Sequence, residues 1–549
     1  MASDNNHLSN NPPDDKDYNY SRVLDVHIWS DYPEVNDFIN LIYDAYFSNQ
    51  NGKKSIAKKH IKVVLLDLYL AWLDDPELCV AVNMTRNHYS ENFGKPSRYN
   101  ELNLSAKTIK VVSTLRDAGL IGYKQGFEAQ EGYSGGRISR IWTEPKLAYM
   151  FQRSALSEFM AYSTDDREAL VLKDDDKSEI HCDPTDETVA QTLVVKQYNN
   201  LLERTFIDIP SAESPLLKIE KKKGSKKPDK DHHVRIRHQD KFTFRVFNNG
   251  SFTESGRFYG GFWQRIGQSY RNQILINDLP TVEIDFSSFH PVLAYAKAGV
   301  SYWEEYKISP YDIPVDGIND SSIAEKAIKK LFLLALNAKT NSELFNAFRK
   351  EFDYSLLNDL DFKFSNDVLG KMLDSIKERH PIIADEIANG AGTKLMNLDS
   401  KIAEFVIQHF LETDTPILCI HDSFIVQESQ RDRLNQAMKD AFSSVLEQSG
   451  IKYKQNLPIR QDFVLWRQMD RDYYLDGMLD KGPKRTTGYL NRLNKHNKFF
   501  NPKSTKSKSV QYTPDEIVMP KNYKKYQKDR GEPITDSKVW SGLFGGKSE

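Results

Sequence analysis

The amino-acid sequence predicts an α+β protein, and three observations indicate this class. Two apolar stretches rich in β-branched residues, 281–286 and 417–426, have the composition of buried strands. Residues 61–73 are apolar nearly all round, as the central helix of a core would be. A third stretch, residues 104–142, reads as a helix followed by a hairpin. Helices and antiparallel strands are therefore expected to share the chain.

The length, charge and cysteine content of the chain limit the functions that it can have. A chain of 549 residues corresponds to about three domains of ordinary size. A formal net charge of −2 excludes a uniformly basic nucleic-acid binder but allows one with segregated charge. The three cysteines, at 79, 182 and 419, have no metal-site or disulfide spacing, which fits a reducing cytosol. With no signal sequence and no long apolar run, we expect a soluble, cytoplasmic protein without a membrane partner.

The stretch 104–142 carries a candidate nucleic-acid contact. Ser105 can cap a helix whose apolar residues recur at helical spacing until Gly119, and a Gly-rich loop and a basic strand follow. This order resembles a winged helix-turn-helix, which implies a helix in the major groove and a wing on the backbone or minor groove. Alternatively, the unit docks on the rest of the chain or binds protein. The predicted DNA contacts are Lys107, Thr108, Lys110, Arg137 and Arg140.

The two apolar strands each deliver an aspartate to their end, Asp285 in the first and Asp422 in the second. Two such carboxylates can share divalent metal, and two-metal sites hold ions about 3.5–4 Å apart to stabilise an in-line phosphoryl displacement. Hard oxygen ligands suit Mg²⁺, with Mn²⁺ as an alternative ion. The competing interpretation is that each aspartate caps a turn after a core strand.

The residues around these aspartates resemble a known family. Asp-Phe-Ser-Ser-Phe-His-Pro at 285–291 resembles motif A, and Ile-His-Asp-Ser-Phe at 420–424 resembles motif C, of the family A DNA polymerases and the single-subunit phage and mitochondrial RNA polymerases. Ser255–Tyr259 is similar to a Gly-Arg-x-Tyr element of the RNA polymerase branch, and 326–330 matches an Arg-x-x-x-Lys element with Lys for Arg. The resemblance implies a polymerase-like palm, an antiparallel sheet with helices.

Roles follow from the resemblance at each matching position. It implies that Asp285 and Asp422 hold metal and that His421 hydrogen-bonds the primer end. The implied nucleotide contacts are Arg257, Tyr259, His290, Lys326, Lys329 and Lys330. A ring at His290 would crowd a ribose 2′-hydroxyl and favours deoxynucleotides, whereas Ser423, where many DNA enzymes have an acid, follows the RNA branch. Leu-Asn-Ala at 336–338 replaces the family's Tyr-Gly pair, which leaves templating open.

The function predicted from these residues is nucleotidyl transfer by a DNA-directed DNA polymerase or primase-like enzyme, with RNA and template-independent synthesis left open. Its partners would be template or primer DNA and nucleoside triphosphates, in a phage, plasmid or defence context. One alternative is a non-catalytic replication initiator or regulator with a degenerate palm, and another is a two-metal nuclease. The helix before motif C contains Asp399 and Ser400, which are interpreted as caps.

The expected domain organisation follows the composition of the chain. Residues 1–20 are polar and predict a flexible lead-in, and from residue 481 the chain is rich in Lys and Arg with few aliphatic residues. The predicted segments are a lead-in (1–20), a winged-helix domain (21–155), an acidic then Lys-rich connector with a helix (156–245), a palm and fingers core (246–470) and a basic flexible tail (471–549).

Overall fold

The computed structural model describes residues 16–49, 51–86, 88–89, 98–128, 135–219, 232–357, 362–451, 466–468 and 485–501. These residues belong to two compact units, one within residues 16–167 and the other within residues 168–501. Each unit combines helices with small sheets whose strands are mostly antiparallel. The predicted α+β class is therefore confirmed.

The first unit contains four helices and six strands among its described residues. The helices are α1 (Pro33–Tyr46), α2 (Lys54–Asp74), α3 (Lys107–Asp117) and α4 (Pro145–Arg153). The strands are β1 (Ser21–Val23), β2 (Ile28–Trp29), β3 (Cys79–Val82), β4 (Ile121–Lys124), β5 (Ser139–Thr143) and β6 (Tyr162–Ser163). One sheet has the order β1-β3-β5-β4, and β2 pairs with β6.

The core of the first unit forms around α2. This helix is buried continuously from His60 to Ala71, as its all-round apolar sequence predicts. The predicted helix and the two antiparallel strands after it are present as α3, β4 and β5, and Gly119 follows α3 with a φ of +66°. Residues 129–134, which include part of the predicted wing, lie outside the described residues.

The expected lead-in is shorter than predicted. Residues 1–15 lie outside the described residues, but Lys16 Nζ donates to Glu77 at 2.8 Å and Tyr20 Oη donates to Asp75 at 3.0 Å. Residues 16–20 are therefore part of the folded unit, because side chains in the turn between α2 and β3 provide partners for them.

The second unit holds the remaining described elements. Its helices are α5 (Asp186–Arg204), α6 (Gln268–Arg271), α7 (Phe289–Lys297), α8 (Tyr302–Glu305), α9 (Ser321–Asn337), α10 (Asn341–Glu351), α11 (Asn366–Arg379), α12 (Gly392–Leu411), α13 (Arg431–Gln448) and α14 (Thr487–Phe500). Its strands are β7 (Leu170–Leu172), β8 (Ile207–Asp208), β9 (Leu216–Ile219), β10 (His232–Arg235), β11 (Phe244–Phe247), β12 (Ser255–Tyr259), β13 (Leu275–Ile276), β14 (Leu279–Phe286), β15 (Ile417–Ile420), β16 (Ser423–Gln427) and β17 (Trp466–Gln468).

A six-stranded antiparallel sheet forms the middle of the second unit. Its order is β15-β16-β14-β13-β8, and β17 also pairs with β14. Along β14, Ile284 and Phe286 are buried, and the Phe286 ring stacks on Phe289 at 4.2 Å and lies 6.4 Å from Phe442 of α13. Because side chains alternate along a strand, the neighbouring acidic residues of β14 project from the opposite face. Helix α12 packs against β12, α7 and α13.

The predicted connector is mostly part of this second unit. Strand β7 joins β11 and β12 in a three-stranded sheet. Helix α5 is fixed to the central sheet by Tyr198, whose hydroxyl donates to Ile417 O at 2.8 Å and accepts from Cys419 N at 3.1 Å. The apolar stripe of α5 buries Val194, Tyr198 and Leu202, so this segment folds instead of linking domains. The Lys-rich residues 221–230 lie outside the described residues.

Part of the predicted basic tail is also folded. Helix α14 buries Tyr489 completely against Phe206 and Leu275, and the Tyr489 hydroxyl donates to Asp278 at 2.7 Å. Arg492 forms an ion pair with the buried Asp208 at 2.7 Å. The flexible-tail prediction is therefore wrong for 485–501, because an apolar face repeats along this otherwise cationic segment. Residues 469–484 and 502–549 lie outside the described residues.

Replacing Arg492 with Leu should lower the free energy of unfolding of the second unit by about 3–5 kcal/mol, because a buried carboxylate would lose its cation. The Asp208 side chain is 3% exposed and that of Arg492 is 13% exposed. Urea unfolding of the full chain measures the change. The control is Arg485→Leu, whose ion pair with Asp278 is about one-third exposed on both sides and should contribute less than about 1 kcal/mol. Equal losses in the two variants would contradict this account of α14.

Candidate active site

Asp285 and Asp422 lie at the ends of adjacent antiparallel strands. Asp285 is the penultimate residue of β14 and stands opposite Ser423 of β16. The prediction of one strand over 417–426 is wrong, because this stretch forms the hairpin of β15 and β16. Asp422 belongs to the two-residue turn between them, where His421 takes a left-handed conformation with a φ of +58°. The amide of Phe286 donates to Asp422 O at 3.3 Å, which ties the turn to the end of β14. The two predicted aspartates are therefore brought together by backbone pairing.

The neighbourhood of Asp422 is strongly acidic. Burial raises the pKa of Asp422, and the negative charge of Asp399 raises it further, while Arg257 and His290 offset the effect only in part. Burial likewise raises the pKa of Tyr311, and the charges of Asp422 and Asp285 add to it, although a hydrogen bond with Ser288 acts in the opposite direction. The charge of both aspartates thus acts on one buried hydroxyl.

A buried ion pair lies beside these carboxylates. Asp399, at 1% exposure, accepts at Oδ2 from Arg257 Nε at 2.7 Å and also from Arg257 Nη2. His290 Nε2 lies 2.8 Å from Arg257 Nη2 and 3.5 Å from Asp399 Oδ2. Burial alone would raise the pKa of Asp399, but Arg257 and His290 outweigh it and hold that pKa below its usual value.

The backbone that presents Arg257 is unusual. Ser255 and Gly256 have φ angles of +66° and +91°. A Cβ on Gly256 would lie 2.5 Å from the Phe247 ring and 2.9 Å from Ser400 Oγ. Ser400 Oγ in turn donates to Ser255 O at 3.1 Å. Glycine at 256 therefore allows α12 to approach β12 closely enough for Asp399 to bind the arginine that follows.

Tyr259 and His421 pack together at the same end of the sheet. Their ring centroids are 5.4 Å apart at an angle of 66°. Burial lowers the pKa of His421 to about 4, and the charge of Arg257 contributes in the same direction. The ring is therefore neutral at neutral pH, and its Nδ1 atom is buried without a hydrogen-bond partner among the described residues. An imidazole in this state can hydrogen-bond a ligand without carrying charge.

The three predicted triphosphate lysines occupy different positions on α9. Asp320 caps this helix by accepting from Ser322 N at 2.8 Å. Lys329 is exposed, with Nζ 5.6 Å from the centre of the Tyr311 ring, which links it to the aspartate site. Lys330 Nζ donates to Glu351 of α10 at 2.6 Å, and Lys326 is exposed. Lys329 therefore lies beside Tyr311, whose pKa is raised by burial and, in addition, by the charges of Asp422 and Asp285.

Three residues of this site were not predicted from the sequence to belong to it. Asp399 was expected to cap a helix, but α12 begins at Gly392 and Asp399 lies in its second turn as an ion-pair partner. Tyr311 comes from the segment between α8 and α9. Glu283, on the same face of β14 as Asp285, accepts from Ser423 Oγ at 2.9 Å and from Arg271 Nε at 3.1 Å. Polar residues inside apolar runs were the available signal for Asp399 and Glu283.

The predicted contact residues of the first unit differ in accessibility. Lys107 and Lys110 are exposed on α3, but Thr108 is only 2% exposed, so its prediction as a DNA contact is wrong. The helical repeat turns Thr108 toward the core beside Val111 and Val112. Arg137 lies over the rings of Tyr18 and Phe127 at 5.1 and 5.2 Å.

Arg140 also forms hydrogen bonds within the first unit. Its Nε atom donates to Tyr18 O at 2.9 Å, and its Nη1 atom donates to Ile138 O at 2.6 Å. Lys107 and Lys110 are therefore the predicted contacts that the structure leaves accessible on the helix.

The carboxylate pair fits a hard divalent cation better than a soft one. Within the described ranges, no group of three or more His, Cys, Asp or Glu side chains is arranged to hold a metal ion. Asp285 and Asp422 offer oxygen ligands, and burial together with the charge of Asp399 raises the pKa of Asp422. Mg²⁺ commonly binds through one or two carboxylates and completes its shell with water and substrate phosphates. The residues present therefore fit Mg²⁺.

Comparison with other proteins leaves the function to be inferred from the residues themselves. No model of a known protein family matches the chain, and a search of curated proteins finds no similar sequence. In the part of the chain that the structure describes, no helix has both the length and the apolar character needed to cross a membrane.

Stability of the second unit should rise with pH between about pH 4 and pH 6.5, because His421 has a pKa of about 4 when folded and an ordinary value of 6.5. The unfolded chain binds more protons in this window, so folding is favoured as protons are removed. His421→Gln should flatten the rise in urea-unfolding free energy across the window. His181→Gln, at an exposed position, is the control and should leave the slope unchanged. An unchanged slope in His421→Gln would contradict the buried neutral imidazole.

Proposed function

We propose that the second unit is the catalytic core of a nucleic-acid polymerase and that Asp285 and Asp422 are its metal-binding carboxylates. The observation that supports this most is that three separate stretches of the chain meet. Those resembling motif A and motif C lie at one end of the six-stranded sheet, and the Gly-Arg-x-Tyr element, on β12 of the three-stranded sheet, contacts this end through Tyr259 and His421. Register pairing joins Asp285 to Ser423, and Arg257 lies within hydrogen-bonding distance of His290. Under this proposal, the six-stranded sheet is the palm, and α9 belongs to the fingers.

The reaction would join a nucleotide to a 3′ end. The 3′-hydroxyl oxygen forms a bond to the α-phosphorus of a nucleoside triphosphate, the bond to the pyrophosphate oxygen breaks, and the hydroxyl proton is released. Mg²⁺ held by Asp285 and Asp422 would supply electrostatic stabilisation of the charge that develops on the phosphate oxygens. Lys329 and Lys326, both exposed on α9, would bind the triphosphate through charge-assisted hydrogen bonds.

The neutral His421 fits a contact to the primer end. Its buried, unpartnered Nδ1 atom can form a hydrogen bond once a ligand is present. Tyr259, packed on the His421 ring, would keep the imidazole in one orientation. His290 stands at the start of α7, and we propose that it favours deoxyribonucleotides, so that the enzyme extends or primes DNA.

We further propose that the first unit is a winged helix that binds duplex DNA through α3. Lys107 and Lys110 are exposed on this helix, and both are of the residue type that neutralises phosphates. Arg137 and Arg140 already contact aromatic rings and backbone carbonyls of the first unit, so under this proposal they stabilise the hairpin and do not contact the DNA first. Binding by α3 would bring the polymerase to its DNA.

Asp285→Ala and Asp422→Ala should each reduce synthesis by more than the roughly 10–100-fold that loss of an outer metal-site partner costs. Incorporation of labelled dNTPs and NTPs with Mg²⁺ or Mn²⁺ on primed, unprimed and template-free DNA is the measurement. Asp374→Ala removes an exposed carboxylate of α11 and should retain wild-type activity. Duplex binding without synthesis by the wild type would favour the initiator, and degradation of DNA without nucleotides would favour the nuclease.

Lys107→Ala combined with Lys110→Ala should weaken duplex binding by the full chain. If both lysines neutralise phosphates, the slope of log affinity against log salt should fall by about 2. Fluorescence anisotropy with labelled duplex across a salt series measures both quantities. Lys53→Ala combined with Lys54→Ala removes the same charge from exposed positions near the start of α2. An equal effect of the two pairs would show that binding depends on total charge and not on α3.

A further inference from the structure

The outer face of the β4–β5 hairpin carries cationic and aromatic side chains. Ile121 of β4 and Ile141 of β5 are buried in the core of the first unit. Because side chains alternate along a strand, Lys124, Arg140 and Trp142 lie on the opposite face of the hairpin. This face therefore combines positive charge with a large ring at positions that the core does not use.

Three rings and one guanidinium form a row on this face. The Arg137 guanidinium carbon lies 5.1 Å from the centre of the Tyr18 ring and 5.2 Å from the centre of the Phe127 ring. Phe127 and Arg137 are fixed opposite each other by two backbone hydrogen bonds, of 2.7 and 2.8 Å. The Trp142 ring follows Tyr18 at 5.6 Å. These four residues, in the order Phe127, Arg137, Tyr18 and Trp142, are called the hairpin strip below.

The positive charge of Arg137 has no carboxylate partner among the described residues. Arg137 forms no ion pair with any of them, and its buried Nε atom makes no hydrogen bond with them. Lys124 Nζ lies 4.9 Å from the centre of the Tyr18 ring, so a second cation adjoins the strip. Burial lowers the pKa of Arg140, and the charge of Arg137 lowers it further. Because like charges this close disfavour each other, a bound anion would stabilise the group.

Two carboxylates bind at the Trp142 end of the strip. Lys16 Nζ lies 5.4 Å from the centre of the Trp142 ring and donates to Glu77 at 2.8 Å. Trp142 Nε1 donates to Glu144 at 3.0 Å. The guanidinium without a carboxylate partner therefore lies toward the Phe127 end.

The Phe127 end combines an accessible ring with a fixed cation. Phe127 is 57% exposed. A single exposed ring is ordinary on a protein surface, but Phe127 lies in a row with Arg137 and two further rings. Unpaired bases stack on aromatic faces while nearby cations bind the phosphates. A duplex keeps its base faces inside the stack, and an acidic peptide would match the charge but not use the rings. The chemistry of the strip therefore favours a single strand.

We propose that the hairpin strip binds single-stranded nucleic acid, with an unpaired base on Phe127 and a phosphate at Lys124 and Arg137. The inference goes beyond the proposed function, because it depends neither on the aspartates of the second unit nor on the lysines of α3. The ring contacts that let Arg137 stabilise the hairpin also fix its guanidinium for a single strand. The first unit thus has separate surfaces for paired and unpaired nucleic acid.

The experiment measures binding of a labelled thymidine homopolymer, which forms no duplex, to the full chain by fluorescence anisotropy across a salt series. Phe127→Ala should weaken binding about 5- to 150-fold at fixed salt, because the stacking of one base is lost. The slope of log affinity against log salt should keep its wild-type value, since no charge is removed. Arg137→Ala should instead reduce that slope by about 0.7, the value for one phosphate of a single strand.

Tyr149 of α4 is the matched control in the same unit. It is 59% exposed, and the Arg153 guanidinium carbon lies 5.5 Å from the centre of its ring. Tyr149→Ala should leave the affinity for the homopolymer unchanged, and Phe127→Tyr should retain wild-type affinity because a flat ring remains. Equal losses in Phe127→Ala and Tyr149→Ala would overturn the proposal, because any exposed ring beside an arginine would then serve.

Two further measurements keep the test decisive. If Phe127→Ala is less stable in urea than the wild type, Phe127→Leu keeps an apolar side chain without a flat face and should weaken binding as well. An unchanged affinity of both Phe127 variants would overturn the proposal, and competition by polyglutamate in that case would assign the face to an acidic partner. The loss in Phe127→Ala should persist when Lys107 and Lys110 are also replaced by Ala. The proposed polymerase function fails separately, through absence of synthesis by the wild type.

Discussion

The antiparallel pairing of β14 with β16 is the constraint on which the candidate site depends. The register sets Asp285 opposite Ser423, and the bond from Phe286 N to Asp422 O closes the same end of the ladder. A slip of one residue would exchange the faces of β14, turning Asp285 toward the core and Phe286 toward the opposite face. The stack of Phe286 on Phe289, close to Phe442, opposes such a slip because it would expose these rings.

Burial gives the site its electrostatic character. Asp422 and Asp399 both lie within reach of one guanidinium, that of Arg257, and the pKa values of the two carboxyls are shifted in opposite directions. The difference has a geometric cause, since Asp399 bonds directly to Arg257 while Asp422 senses it only at a distance. The environment thus separates two carboxylates into a paired structural group and an under-neutralised one, and the latter is the kind of group that binds a cation.

Charge segregation, which the balanced composition conceals, runs through both units. The cationic helix α14 is held by Asp208 and Asp278, so part of the basic C-terminal sequence serves the fold of the second unit. On α9 one lysine is paired with Glu351 while its neighbour at 329 approaches Tyr311. In the first unit, the arginines of the hairpin bind backbone and aromatic groups, and two lysines of α3 stay exposed. Net charge alone distinguishes none of these cases.

The sequence by itself determined the α+β class, the central helix α2, the helix and two strands at 107–143, and the strand that carries Asp285. These features follow from local periodicity and from residues such as Gly119, whose conformational preference is readable without context. Asp285, Asp422, Arg257, His290, Tyr259 and His421 were named from sequence and are neighbours in the structure.

Only the tertiary structure decided the partners of these residues. The burial of Thr108, the docking of α14, the pairing of Lys330 with Glu351 and the bond between Asp399 and Arg257 all join or orient residues through packing between elements. Asp399 and Arg257 are 142 positions apart, so no local pattern could relate them. Local sequence specifies whether a segment can form a helix or a strand. Which face of that element is buried, and which of its charged groups form ion pairs, depend on the elements that pack against it.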